Sequence, residues 1–284
     1  MKLAVISDIH GNYKAFEAFL AYIKDKEVDA ILCLGDYVTD SPYPQRTMEL
    51  LFQMMEKYTC YMVRGNREQY LIDNYYHPQG WKPYSSANGL LYYAAENITE
   101  EQIHFFESLP EARELHLPGC PPMIICHGTP DELRGNFFEV PELKETVLKD
   151  LEVPYLLGGH SHNQEMDCRY GTTYVNPGSV GSAIDGVGRR AQFAMLQTIQ
   201  NEGKPAFAVE LVSISYDIDS YLQDFHAAGL DEMGKVLTRA IKKTALTGIN
   251  YFYEAVLEAG RISGKPLPEI SEEVWEQAAE KLEI

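Results

Sequence analysis

Long hydrophobic runs are missing from this chain: no stretch approaches the roughly 18 apolar residues that a membrane helix needs. Basic residues are scarce too, with 24 Lys and Arg against 42 Asp and Glu. The net charge of −18 repels the phosphate backbone of long nucleic acids. Neither a membrane nor duplex nucleic acid is therefore an expected partner. A small phosphorylated substrate stays open, because bound metal reverses the field locally. The five cysteines, Cys33, Cys60, Cys120, Cys126 and Cys168, are odd in number, scattered, and form no Cys-x-x-Cys pair. Cys33, Cys60 and Cys126 lie in apolar strand-like runs and read as reduced core residues. The apolar run in Met1–Asp8 is too short for a secretory leader and ends in a carboxylate. A cytoplasmic location is the expectation.

What is present is ordinary globular composition, 45% hydrophobic and 23% charged over 284 residues. That length suits one large α/β domain, or a domain of about 200 residues with an appendage. Apolar runs at Leu3–Ser7, Ala30–Leu34 and Cys60–Val63 alternate with helical spacings at Phe16, Phe19, Leu20, Ile23 and at Met48, Leu51, Phe52, Met55. This alternation predicts a parallel sheet covered on both faces. Residues 67–112 lose the strand pattern and predict a helical insertion. Strands are expected again at Met123–Cys126, Tyr155–Leu157, Thr172–Val175, Gln192–Leu196 and Ala206–Ile214, the last group antiparallel. From Ile218 the pattern is helical, so the expected division is a 1–217 domain and a 218–284 helical extension. That extension has three open roles: packing on the core, covering the site, or self-association into a homo-oligomer.

Each apolar strand of the first 160 residues stops at a ligand-type side chain. The stops are Asp8-Ile9-His10, Gly35-Asp36, Gly65-Asn66, His127-Gly128 and Gly159-His160-Ser161-His162. Ligands of an open parallel sheet bind outside the carboxyl ends of its strands, so these groups are expected to converge. The i, i+2 spacing of Asp8 with His10, and of His160 with His162, lets both members reach inward from one side of an extended segment. The glycines before Asp36, Asn66 and His160 permit sharp turns or close backbone approach beneath the ligands. Carboxylate, imidazole and amide oxygen together suit Mn, Fe, Zn or similar ions better than all-oxygen shells would. Seven ligands exceed the need of one ion and divide between two. Such a pair clamps a phosphoryl group and ionises a shared water. His77, His104, His116 and His226 stand apart from the pattern and read as ordinary residues.

The order Asp-x-His, Gly-Asp, Gly-Asn, His, Gly-His-x-His resembles the calcineurin-like metallophosphoesterase superfamily. Asn176-Pro177-Gly178-Ser179-Val180-Gly181 and Arg190–Leu196 are similar to its bacterial and archaeal small-phosphoesterase branch, so the likeness spans roughly residues 1–215. The resemblance implies an α/β (α+β) fold: a four-layer β-sandwich flanked by helices, with the site at one end. It implies that Asp8, His10, Asp36 and His162 hold one divalent ion and that Asp36, Asn66, His127 and His160 hold the second, with Asp36 bridging. Manganese is the first expectation, with Fe, Zn, Ni or Mg as alternatives. A metal-bridging hydroxide would attack phosphorus in line with the leaving oxygen, and Asp36, Asn66, Arg67 and His127 would be the catalytic residues.

Two positions depart from the best-known members. Many phosphatases of the superfamily read Gly-Asn-His-Asp/Glu, whereas this chain reads Gly65-Asn66-Arg67-Glu68. An Arg grips phosphate oxygens but cannot serve as an efficient general acid, which favours substrates with a good leaving group. Salt-bridging is the alternative role for Arg67. No Arg-Gly follows Asp36, which argues against protein phosphatase activity, and Asp40 reads as a turn cap or as an acceptor orienting a ligand. Asn12 is a candidate phosphate donor beside Asn66 and Arg67, although an N-cap is favoured because a helical face starts right after it. Asn176 and Ser179 read as supports. Tyr75-Tyr76 and Tyr92-Tyr93 are candidates for stacking a base, with core packing the preferred reading. The leading expectation is a phosphodiesterase for a small nucleotide-like ester. A phosphomonoesterase, a dinucleoside polyphosphate hydrolase and a non-catalytic scaffold (as for the retromer subunit of similar fold) are the alternatives.

Overall fold

Five strands form a first sheet in the order β10 (Lys204–Ser215), β9 (Arg190–Asn201), β1 (Lys2–Ile6), β2 (Ala30–Cys33), β3 (Thr59–Met62) in a computed structural model that describes residues 1–284. The parallel core is β1, β2 and β3, joined through α1 (Tyr13–Ile23) and α2 (Pro44–Lys57). The chain then passes through α3 (Asn66–Tyr76), α4 (Gly89–Glu96) and α5 (Glu100–Ser108) before the second sheet begins. That sheet runs β4-β5-β6-β8-β7. Its strands are β4 (Ala112–Leu115), β5 (Met123–Cys126), β6 (Tyr155–Leu157), β7 (Gln164–Arg169) and β8 (Thr172–Pro177), with α6 (Pro141–Asp150) between β5 and β6. The hairpin of β9 and β10 returns to the first sheet, where β9 pairs antiparallel to β1.

Period-two alternation explains the layers. Ala4, Ile6, Ile31 and Cys33 face one way and pack on Phe16, Phe19, Met48 and Leu51 of α1 and α2. Leu3, Val5, Ala30 and Leu32 face the other way and meet Leu115, Met123, Ile125, Leu157 and Val175 of the second sheet. Outside that sheet, Cys126, Leu156 and Tyr174 are covered by Leu148 of α6. The order is helix, sheet, sheet, helix, which is the expected four-layer sandwich. The predicted parallel sheet is covered on both faces, by helices on one and by the second sheet on the other.

Three strand expectations need correction. β8 is parallel to β6 and antiparallel to β7, and β9 with β10 forms the expected antiparallel pair. β4 and β7 carried no visible signal. They are edge strands, and Ala112-Arg113-Glu114-Leu115 and Gln164–Arg169 lack the continuous apolar run that marks a strand buried on both faces.

Beyond β10, α7 (Ile218–Ala227), α8 (Leu230–Thr247), α9 (Tyr251–Ser263) and α10 (Glu272–Leu282) build their own apolar core around Phe225, Leu237, Ala255 and Trp275. Leu90 of α4 joins that core. Polar ties fasten the helices to the sandwich: Ser41 Oγ lies 2.8 Å from Tyr221 Oη, and the Tyr13 hydroxyl donates to Asp224 at 2.6 Å.

Candidate metal centre

All seven sequence-selected ligands meet beyond the carboxyl ends of β1, β2, β3, β5 and β6. Donor atoms of Asp8, His10 and His162 lie within 4.8 Å of one another, as do those of Asp36, His127 and His160. Asp36 sits between the groups, with Oδ2 3.6 Å from His10 Nε2 and 3.4 Å from His127 Nε2. Asn66 Oδ1 is 3.1 Å from His127 Nε2.

The convergence is not achieved through extended segments, as the i, i+2 spacing suggested. Asp8, His10, Asp36, His160 and His162 all have φ between 48° and 63°, in the left-handed region. A non-glycine residue there costs roughly 1–2 kcal/mol, and such outliers persist where the surroundings over-determine them. Here the surroundings are a backbone lattice: Asp8 N donates to Gly35 O, His10 N to Asp36 O, and Gly181 N to Asp8 O. Ser179 Oγ donates to Asp8 O at 2.7 Å, and Asn176 Nδ2 to Gly159 O at 2.8 Å, so both residues support the ligand turns. Close approach accounts for two glycines. A Cβ on Gly65 would stand 2.2 Å from Asp36 Oδ1, and one on Gly159 would stand 1.9 Å from Ser7 Oγ.

The donor set fits cations. His127 Nδ1 lies 2.8 Å from Leu34 O and His162 Nδ1 2.9 Å from Ser182 O. A carbonyl only accepts, so these nitrogens carry the protons and each neutral ring turns a bare Nε2 inward. His10 Nδ1 is 3.0 Å from Asp40 Oδ2, an ionic contact without hydrogen-bond alignment. Inward, His10 Nε2 lies 3.0 Å from His162 Nε2, and His162 Nε2 lies 3.2 Å from Asp8 Oδ1, a fully buried oxygen with no hydrogen-bond donor. Lone pairs converging on buried ground require positive charge between them, a proton or a metal ion.

Without metal, protons take that role. Burial opposes a charge on His10, but Asp40, Asp8 and Asp36 override it and push the ring up to about 10. Burial likewise opposes His127, and Asp36 and Asp8 raise it to about 9. His160 goes the other way, down to about 3, through burial and the charge on His127. Burial resists ionisation of Asp8, yet the neighbouring imidazoles hold its carboxyl well below the usual range. Metal binding must displace the protons of His10 and His127. Apparent affinity for Mn²⁺ should therefore rise between pH 6.5 and 8.5, by up to about tenfold per unit for each displaced proton. Titration calorimetry in buffers of different ionisation enthalpy counts those protons; a flat affinity with none released would contradict this account. Linkage carries the same sign into stability. His10 and His127 stabilise the metal-free fold fully below 6.5, and that contribution is lost as pH rises through about 9 and 10.

A sequence model described as Calcineurin-like phosphoesterase superfamily domain matches residues 1–201. The chain belongs to that superfamily. Membership makes it a metal-dependent phosphoric ester hydrolase by class. It is 27% identical over 235 residues to the uncharacterized protein MJ0912 of Methanocaldococcus jannaschii, covering 76% of this chain and 88% of the relative. Its fold is similar to a metallophosphoesterase of Sphaerobacter thermophilus, with TM-score 0.65 and 22% identity over 88% of this chain and 100% of that one. It is also similar to the hypothetical protein PH1004 of Pyrococcus horikoshii OT3, with TM-score 0.69 and 18% identity over 87% and 98%.

Around the superfamily motifs, several side chains differ from expectation. Asn12 is not a substrate donor: it is fully buried, its Oδ1 accepts from Ala15 N at 3.0 Å, and its Nδ2 donates to Gly181 O and Tyr216 Oη. It is the N-cap of α1. Arg67 ion-pairs with Asp40 at 3.1 Å, so Asp40 is an anion shared by His10 and Arg67. Tyr75 and Tyr76 are exposed rather than core, and the Tyr75 hydroxyl donates to Glu100. His104, His116 and His226 pair with surface carboxylates, and His77 is exposed. Sequence reasoning gave Glu68 no role of its own. Its carboxylate is fully buried and accepts the backbone N–H groups of Asp36, Tyr37 and Gly65, each at 2.8 Å. Burial and the Asp36 charge push it up to about 7, while these three donors favour the ionised form. The available signal was its position three residues after a helix-starting Gly, from which a Glu reaches back to the cap.

Proposed function

We propose that the chain is a dinuclear-metal phosphodiesterase acting on a small, nucleotide-like phosphate ester. The carrying observation is the pair of three-donor groups sharing Asp36 between them. In this reading Asp8, His10, Asp36 and His162 hold one ion, and Asp36, Asn66, His127 and His160 hold the other. The mixed nitrogen and oxygen donors favour Mn²⁺, ahead of Fe, Zn, Ni or Mg. Two bound ions supply Lewis acidity and the ionisation of a water for in-line attack on phosphorus.

The protein's own groups supply position and charge. Arg67 is partly open to solvent, its side chain 16% exposed, and it faces the rim with its guanidinium 5.6 Å from the Phe252 ring and 5.9 Å from the Tyr70 ring. It is placed to grip a phosphate oxygen while an aromatic face takes a base. Its pKa is raised further still, because the Asp40 and Asp36 charges outweigh burial, so it never protonates a leaving oxygen. A substrate whose leaving oxygen needs no acid fits this site, and an activated diester fits better than an alkyl monoester.

Free cysteines throughout support a cytoplasmic location. The separate core of α7–α10 supports treating 218–284 as an extension of a 1–217 domain, even though Phe252 lies at the rim. Ile249, Tyr253 and Leu257, exposed four residues apart on and beside α9, support self-association through the extension. Light scattering across concentration checks that point.

Bis-p-nitrophenyl phosphate and p-nitrophenyl phosphate, each assayed with Mn, Fe, Zn, Ni and Mg, decide the main reading. Diester hydrolysis should exceed monoester hydrolysis by about tenfold or more, a difference of about 1.4 kcal/mol in barrier. Elemental analysis should find close to two metals per chain. Hydrolysis of neither ester with any metal would overturn the reading, and monoester preference would convert it to a phosphomonoesterase.

A further inference from the structure

We propose that Arg134, held over Tyr70 beside the metal centre, forms a second anion subsite that takes an additional phosphoryl group of a nucleotide substrate. The inference rests on the phosphoesterase reading and deepens it, since it selects ligands with a phosphoric anhydride over those with a single phosphorus.

Cations are a minority in this chain, and most arginines already have a carboxylate partner. Arg64, Arg67, Arg169, Arg189, Arg239 and Arg261 are all ion-paired. Arg134 is exposed and has no carboxylate within ion-pair distance, although Asp131 and Glu132 are its near neighbours in sequence. Its guanidinium lies 5.9 Å from the centre of the Tyr70 ring, the same separation that Arg67 keeps from that ring. The two guanidinium carbons, each 5.9 Å from the same centroid, are thus no more than about 12 Å apart. Cation–π attraction engages the Arg134 fork without using its N–H donors, which remain free for oxyanions, whereas one Arg67 nitrogen already lies 3.1 Å from Asp40.

The turn that carries Arg134 is fixed to the metal loop. Thr129 N donates to Glu132 O at 2.9 Å, Gly135 N to the same carbonyl at 3.1 Å, and Glu132 N to Thr129 Oγ1 at 3.0 Å. Gly128, next to His127, packs so tightly on this turn that a Cβ there would stand 2.6 Å from Glu132 O. Arg134 is therefore positioned relative to His127, while Tyr70 and Arg67 are positioned relative to Asn66 on α3. Arg134 thus belongs to the turn that follows His127, and Arg67 is the residue next to Asn66. Arg67 also meets the Phe252 ring of α9, a hydrophobic face for a base. Two cations and two rings around one rim match a nucleoside carrying more than one phosphoryl group. One phosphoryl would sit at the centre and the next on Arg134.

Calorimetric binding of adenosine 5′-(α,β-methylene)diphosphate and of AMP to the full chain with saturating Mn²⁺ tests this. The diphosphate analogue should bind about tenfold more tightly than AMP. Arg134→Gln should narrow that ratio to about twofold, and Arg134→Lys should retain part of it because the charge stays. Lys204→Gln, at the β9–β10 turn, removes the same charge away from the site and should leave the ratio at the wild-type value. Equal binding of the two nucleotides by the wild type, or an unchanged ratio in Arg134→Gln, would overturn the subsite. Either result alongside hydrolysis of model diesters leaves the phosphoesterase reading standing. Absence of both nucleotide binding and hydrolysis would sink the two together.

Discussion

Asp36→Ala should abolish phosphodiester hydrolysis, lowering it by at least about 10³-fold, and should reduce bound metal from two ions per chain to at most one. No other carboxylate approaches both groups as closely. Its Oδ2 lies 3.6 Å from the first-group imidazole of His10 and 3.4 Å from the second-group imidazole of His127, whereas Asp8 Oδ1, 3.6 Å from His10, comes only within 4.0 Å of His127. Its Oδ1 is engaged by Arg67 N at 2.8 Å, which fixes the carboxylate plane. Asn at this position keeps the shape but loses the charge that balances the two cations, so Asp36→Asn should fall between wild type and Asp36→Ala in metal content. Elemental analysis and model-diester assays on the purified variants check both statements. Full activity in Asp36→Ala with two metals still bound would remove the basis for a shared ligand.

The ligands were legible because each lies a few residues beyond a strand; the edge strand β3 is only partly buried, whereas β1, β2, β5 and β6 are buried almost throughout. Such strands read as continuous apolar runs, so an abrupt stop at Asp8, Asp36, Asn66, His127 or His160 is conspicuous. How these residues converge was not legible. Left-handed φ at Asp8 and His10 is held by backbone hydrogen bonds with Gly35, Asp36 and Gly181, which are remote in sequence from both. The edge strands β4 and β7 were hidden for a related reason: strands with half their surface open to water have no apolar run to reveal them. Tyr75 and Tyr76 misled in the opposite direction, since aromatic composition says nothing about which face of α3 meets the sandwich. Leu71 and Ile72 are the buried apolar residues on that helix.

The C-terminal helices show where composition and periodicity stop. Their apolar spacing announced helices with a buried face, and the structure gives that face a core of its own with Trp275 at 0% exposure. Which side of the sandwich they cover depends on a few polar contacts that no period reveals. Tyr216 meets the amide of Asn12, Tyr221 meets Ser41, and Ser86 of the insertion bonds Glu272 through both its N–H and its hydroxyl. These contacts bring the start of α9 to the rim, so Phe252 stands beside Arg67 although 185 positions separate them in the chain.

Glu68→Ala should destabilise the metal-free protein by about 3 kcal/mol or more, because it strands three buried backbone N–H groups at roughly 1–3 kcal/mol each. Those groups belong to the two turns that present Asp36 and Asn66, so thermal unfolding should shift down and metal affinity should fall with it. The conservative variant separates the causes. One Glu68 oxygen accepts from both Asp36 N and Gly65 N, and the other accepts from Tyr37 N alone. In Glu68→Gln the amide oxygen can keep the first pair, leaving only the Tyr37 N–H opposed by an NH₂ group. Its cost should be about 1–2 kcal/mol, clearly below that of Ala. A role confined to charge predicts equal damage from both variants, because both remove the anion. Denaturant unfolding of the metal-free proteins distinguishes these outcomes, and equal losses for Gln and Ala would mean that the carboxylate acts through its field and not as the hydrogen-bonded clasp between the two ligand turns.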